Sequence, residues 1–124
     1  MSSRTKFELI CTSFDKRGNV IATRPNLYTK SNPWQKELSI KAGLSDERIF
    51  LHAEIACLLA SRNFKVHSLL VQRFNKAGQP ACACPCLSCR LAVVQTEVKY
   101  VRYTSECGIV QVNPRDWIIQ ERLI

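Results

Sequence analysis

Two short stretches carry the residue types that do chemistry. In "FLHAEIA", residues 50–56, His52 and Glu54 stand two positions apart; in "PACACPCLSCR", residues 80–90, Cys82, Cys84, Cys86 and Cys89 fall within eight positions. Thiols this dense make a disulfide knot, a structural zinc knuckle or part of a catalytic metal site. The seven cysteines are an odd number, a poor fit to a fully paired disulfide framework. The start "MSSRTKFELI" lacks the apolar core of a secretion signal. The expectation is therefore a reducing compartment, where clustered thiols serve as metal ligands or catalytic groups. A catalytic zinc takes three protein ligands and keeps a fourth position for water. His52, Cys86 and Cys89 can supply that set. A Cys-x-x-Cys pair at a helix start suits the task, because both sulfurs can face one ion while unpaired N–H groups and the helix dipole favour thiolate. Glu54, beside the ligands without being one, can take a proton from water and hand it onward. The competing reading is a four-thiolate structural site of Cys82, Cys84, Cys86 and Cys89, with His52 and Glu54 as exposed polar residues. Cys11 and Cys57, in apolar surroundings, read as small core residues, and His67 as a structural histidine.

These residues need elements to hold them, and the chain reads as alternating strands and helices. "KFELICTSF", "DKRGN" and "VIATR" form a β-hairpin whose turn carries Asp15, Gly18 and Asn19. Ser31 or Asn32 can cap a helix opened by Pro33 and stopped at Gly43. "AEIACLLASRN" is a second helix, with His52 and Glu54 at its start. "KVHSLLVQRFN" is a strand apolar enough for the inside of a sheet. "CLSCRLAVVQTEV" is a third helix. "KYVRYTS" and "GIVQVN" are separated by little more than "ECG", which favours an antiparallel hairpin over a helical crossover. "PRDWIIQERLI" reads as a short helix from Pro114.

His-Ala-Glu followed after about thirty residues by Pro-Cys-x-x-Cys resembles the signature of the zinc-dependent cytidine and deoxycytidylate deaminase superfamily. The order of elements agrees over nearly the whole chain. The resemblance implies a single α/β domain over residues 1–124, a three-layer α/β/α cytidine deaminase-like fold with a five-stranded mixed sheet and an antiparallel C-terminal hairpin. It implies one zinc per chain on His52, Cys86 and Cys89, with Glu54 as proton shuttle in hydrolytic deamination at C4 of cytosine or C6 of adenine. It also implies that Ala53 and Cys84 line the base pocket and that Asn26 reaches the sugar. Cys84 departs from the pattern: nucleic-acid cytosine deaminases typically carry serine there, and tRNA adenosine deaminases glutamate.

Substrate size is read from charge and from the C-terminal strands. Hydrophobic residues are 46% and charged residues 23% of 124, ordinary globular values. No apolar run approaches the roughly 20 residues of a membrane-spanning helix, so the expectation is a cytoplasmic protein without a membrane partner. The formal charge is +8, with basic residues spread from Arg4 to Arg122. That attracts phosphate, on a nucleotide or a polynucleotide. Lys30, Lys36 and Lys41, with Tyr28 and Trp34 interleaved, could make a stacking and phosphate-tracking surface, or Trp34 could be a core anchor for its helix. The closely spaced final strands resemble the branch containing free cytidine deaminases, many of which are homo-oligomers. The expectation is a nucleotide-metabolism enzyme converting cytosine to uracil in a free nucleoside or nucleotide. The alternatives are a deaminase of cytosine or adenine in single-stranded nucleic acid and a non-catalytic zinc-fold binding module.

Overall fold

The computed structural model describes residues 8–27, 32–43 and 51–121. Tyr28, Lys30, Ser31 and the basic residues at both termini named above lie outside them. Strand β1 (Glu8–Phe14) turns into β2 (Val20–Pro25) through "DKRGN". Asp15 Oδ1 accepts the N–H groups of Arg17 and Asn19, both at 2.9 Å, and Gly18 takes the left-handed φ of 87° that the turn requires. The same device recurs at the end of β3 (Ser68–Phe74). There Asn75 Oδ1 accepts from Ala77 and Gln79 at 2.9 and 3.0 Å, with Gly78 at φ 80°. That second turn returns the chain as a two-residue strand, β4 (Pro80–Ala81), antiparallel to β3.

The remaining strands are β5 (Tyr100–Ser105) and β6 (Gly108–Val112), an antiparallel pair joined at Glu106 and Cys107. The main sheet order is β2-β1-β3-β5-β6, with β4 off that path. β1 runs antiparallel to β3, and β5 runs parallel to β3, so the sheet is mixed and its C-terminal hairpin antiparallel, as expected. Among the described residues the sheet has six strands rather than five, because the cysteine-bearing loop first pairs briefly with β3. Thr104 secures it: its Oγ1 donates to Ala81 O at 2.8 Å and accepts the Arg73 N–H at 3.0 Å.

Among the described residues, four helices accompany the sheet. In α1 (Pro33–Lys41), Pro33 is the first helical residue and the Asn32 side chain accepts from the Trp34 N–H. α2 (Ala53–Ala60) packs on β1 and β2, while α3 (Leu87–Val94) takes α1 and α4 (Pro114–Glu121) as neighbours. The core joins Cys11, Leu69, Val71 and Val101 of the sheet to Ile55, Cys57, Val93 and Trp117 of the helices. Cys11 and Cys57 are fully buried, in keeping with their reading as core residues. His67 lies just before β3 rather than within it. Its N–H donates to Phe14 O and its carbonyl accepts from Lys99 N, both at 2.8 Å, and its ring meets Tyr100 edge-on.

Candidate metal and catalytic site

His52 and Cys86 occupy equivalent places: each is the N-cap residue of its helix, in extended conformation, with no side-chain capping bond. Residues that cap well turn a side-chain oxygen back onto the helix N–H groups. Histidine and cysteine do not, so both side chains are available to project toward each other. Parallel β3 and β5 flank the crossover that carries α3, which sets its N-terminus beside that of α2. His52 Nδ1 lies 3.5 Å from Cys86 Sγ and 3.3 Å from Cys89 Sγ. The three donor atoms are all within 4.8 Å of one another.

The donor set fits zinc. A tetrahedral ion with Zn–S of about 2.3 Å and Zn–N of about 2.0–2.1 Å holds nitrogen and sulfur about 3.6 Å apart. The observed separations are within a few tenths of an ångström of that. Among the described residues, His52, Cys86 and Cys89 form the one cluster of this kind. Cys82 and Cys84 are exposed and outside it, which runs against the four-thiolate reading.

Electrostatics follows from placement. The hydrogen bond from the Cys89 thiol lowers Cys86 most, with His52 and Ser88 adding to it against the cost of burial, to about 3. Burial raises Cys89, and the neighbouring Cys86 and Glu54 raise it further. For His52, burial opposes the charged ring, but the hydrogen bond and charge of Cys86 outweigh it and the net shift is upward. Glu54, in the first turn of α2, is only 4% exposed. Burial is the main cause that raises its carboxyl, with the charge of Cys86 adding, while its own N–H, His52 and the Cys89 thiol pull the other way.

Asn26 meets the start of α2, while Cys84 lies against Arg90 of α3. Asn26, just past β2, accepts the Ala53 N–H on Oδ1 at 2.8 Å, which supplies the capping bond that His52 does not. Cys84 Sγ is 3.7 Å from Arg90 Nη2. Trp34 turns away from this end: its Nε1 donates to Gln95 Oε1 at 3.1 Å, and its ring packs against the core. That agrees with the core-anchor reading and removes Trp34 from a stacking surface beside the site.

Two positioning residues were not anticipated. Gln35, fully buried in α1, accepts the His52 N–H on Oε1 and donates from Nε2 to Ser39 Oγ. Its signal was present: Gln35, Leu38 and Ser39 share the buried stripe of an otherwise charged helix, and a glutamine in such a stripe must have partners. Arg90 donates from Nε to Pro85 O at 2.9 Å and lies 5.9 Å from the centre of the Trp117 ring. It ties the turn before Cys86 to α4.

No family model matches the chain, and no curated protein matches it. Solved structures do. The cytidine deaminase of Mycobacterium leprae is 16% identical with a TM-score of 0.51, covering 85% of this chain and 74% of its own. A point mutant of the cytidine deaminase of Mycobacterium tuberculosis is 17% identical with a TM-score of 0.52, covering 90% and 76%. At such identity the likeness is one of fold. The chain has the cytidine deaminase-like fold, and on that fold it carries a His/Cys/Cys group able to hold a metal.

Proposed function

We propose that this chain is a zinc-dependent hydrolytic deaminase that converts cytosine to uracil in a free nucleoside or nucleotide, with one zinc per chain. The observation that carries the proposal is the buried Glu54 carboxyl, in the first turn of the helix that His52 opens and in reach of the Cys86 and Cys89 sulfurs, on a fold shared with cytidine deaminases. His52, Cys86 and Cys89 would hold the ion, which when bound supplies the Lewis acidity that lowers the pKa of a water. Glu54 moves the protons. It takes one from the attacking water and delivers it to N3 of the ring as oxygen adds to C4, then takes the second from the C4 hydroxyl and passes it to the amino group, so that C4–N breaks, ammonia leaves and C4=O forms. A carboxyl raised by burial suits both halves of that exchange near neutral pH. Ala53 and Cys84 border the base, and Asn26 stands on the sugar side. Gln35 fixes the His52 backbone.

A free nucleoside or nucleotide is favoured over cytosine in single-stranded nucleic acid by the tight antiparallel β5–β6 hairpin, the trait of the free-cytidine branch. On this reading the protein serves nucleotide metabolism in the cytoplasm. None of its described helices is long and apolar enough to cross a membrane.

The test is ammonia release and base conversion from cytidine, deoxycytidine, their monophosphates, adenosine, guanine and a cytosine-containing oligonucleotide, by wild type and Glu54→Ala. Uracil should form from at least one free cytosine substrate. Glu54→Ala should keep zinc and fold yet lose turnover by orders of magnitude, since the proton carrier goes and the ligands stay. Zinc-loaded protein that releases no ammonia from any of them, or a Glu54→Ala variant as active as wild type, overturns the proposal.

A further inference from the structure

The far end of the molecule carries a second candidate surface. α2 is eight residues long, a rise of about 12 Å, with His52 at its start and Ser61 capping its end. Past Ser61 the chain enters the connection to β3, which comes beside the β1–β2 turn and the segment between α3 and β5. Two cavities open there. One, of about 540 Å³, has Trp34, Leu58, Arg62, Phe64 and Val98 among its walls. The other, of about 440 Å³, is walled by the Asp15–Arg17 turn, His67 and Lys99. Lys65, Val66 and Glu97 line both, so the two are parts of one groove, apolar at one end and basic at the other.

The charge in the groove is unbalanced. Lys16, Arg17, Arg62, Lys65 and Lys99 are exposed along it. The opposing carboxylates are Asp15 and Glu97. Asp15 is already occupied by its own turn, accepting from the Arg17 and Asn19 backbone and from the Asn19 side chain. Among the described residues, Lys16, Lys65 and Lys99 make no side-chain hydrogen bond or ion pair. Beside them Phe64 is 63% exposed, an aromatic face in a helix-to-strand connection where a polar residue would cost nothing.

We infer that this groove binds single-stranded nucleic acid, its lysines following successive phosphates and Phe64 stacking on a base. Exposed cations contributed by three separate segments suit a chain of phosphates better than one compact anion, and an exposed ring beside them suits an unpaired base. The groove lies at the end of α2 opposite His52, so a strand held there is a ligand distinct from the substrate of the proposed deaminase, and the inference does not depend on that activity.

The probe is a labelled twenty-residue oligothymidylate, which offers no cytosine or adenine to the His52 site, followed by fluorescence anisotropy at two salt concentrations. Wild type and Glu54→Ala should bind it equally. A Lys16→Glu, Lys65→Glu, Lys99→Glu variant should bind at least tenfold more weakly, with a log–log salt slope shallower by about 2, as loss of three phosphate contacts to a single strand requires. Phe64→Ala should lose about tenfold. A control with the same charge change, Lys36→Glu, Lys41→Glu, Lys76→Glu, places it on α1 and the β3–β4 turn and should bind much as wild type does. Failure of wild type to bind, or equal loss in the two lysine variants, would overturn the inference. So would a duplex of the same length that binds as tightly and an unaffected Phe64→Ala, which would leave a polyanion surface without single-strand recognition. Sedimentation of Phe64→Ala checks the remaining outcome: a shift from oligomer to monomer would make the groove a contact between copies of this chain.

Discussion

At the scale of single residues, the site separates side chains that could hold an ion from those that hold the holders. Cys86→Ser, Cys89→Ser should abolish stoichiometric zinc in elemental analysis, while Cys82→Ser, Cys84→Ser should keep about one ion per chain, since neither thiol belongs to the cluster. Gln35→Leu is the sharper test of positioning. It strips the His52 N–H and the Ser39 hydroxyl of a buried partner, a loss worth about 1–3 kcal/mol, which denaturant titration would register. Zinc affinity should fall with it, because His52 loses the bond that fixes its backbone. His52, Glu54, Cys86 and Cys89 were legible in the sequence because their spacing is itself the signal. Gln35 was legible only in part: its place on the Leu38 face calls for a buried partner, but that partner is 17 residues away and the sequence does not say which it is.

Elements were legible where local chemistry governs them. The first turn was read from Asp15, Gly18 and Asn19, and the first helix from Asn32 and Pro33, because in each a side chain satisfies the neighbouring backbone. β4 escaped notice: two residues carry no periodicity, and their strand character comes entirely from pairing with Arg73 and Phe74. The clue was the likeness of "NKAGQ" to "DKRGN", two turns with the same hydrogen bonds. The Asp15 turn also makes a pH prediction. The Asn19 N–H is the main cause that lowers the Asp15 carboxyl below its ordinary 3.8; loss of solvent opposes it, and the Asn19 side chain and Arg17 add to the lowering. A carboxyl lowered on folding contributes stability that is present above its unfolded value and lost as pH falls through its folded value. The melting temperature of Asp15→Ala should therefore lie below that of wild type at neutral pH, and the gap should close on acidification below about pH 4. A gap that stays constant with pH would show that the turn gains nothing from the charge.

For the whole molecule, stability rests on the core where β1, β3 and β5 meet the helices. Leu69 is fully buried there and registers with Ser13 on one side and Val101 on the other. Leu69→Ala should cost about 2–5 kcal/mol in denaturant unfolding. The alternating order of strands and helices was legible because each segment carries its own pattern, whereas the joining of Lys65, Arg17 and Lys99 into one groove was not, since it arises only when three loops meet. The pairing of His52 with Cys86 has a further meaning in polymer terms. These residues are 34 positions apart, so an ion gripping both is a reversible cross-link around β3 and the β4 loop. Treated like a disulfide closing a loop of that length, it would remove about 4 kcal/mol worth of chain entropy from the denatured ensemble. A chelator added to the native protein would then act slowly, waiting on a local opening. Added to the unfolded chain, it would shift the balance at once.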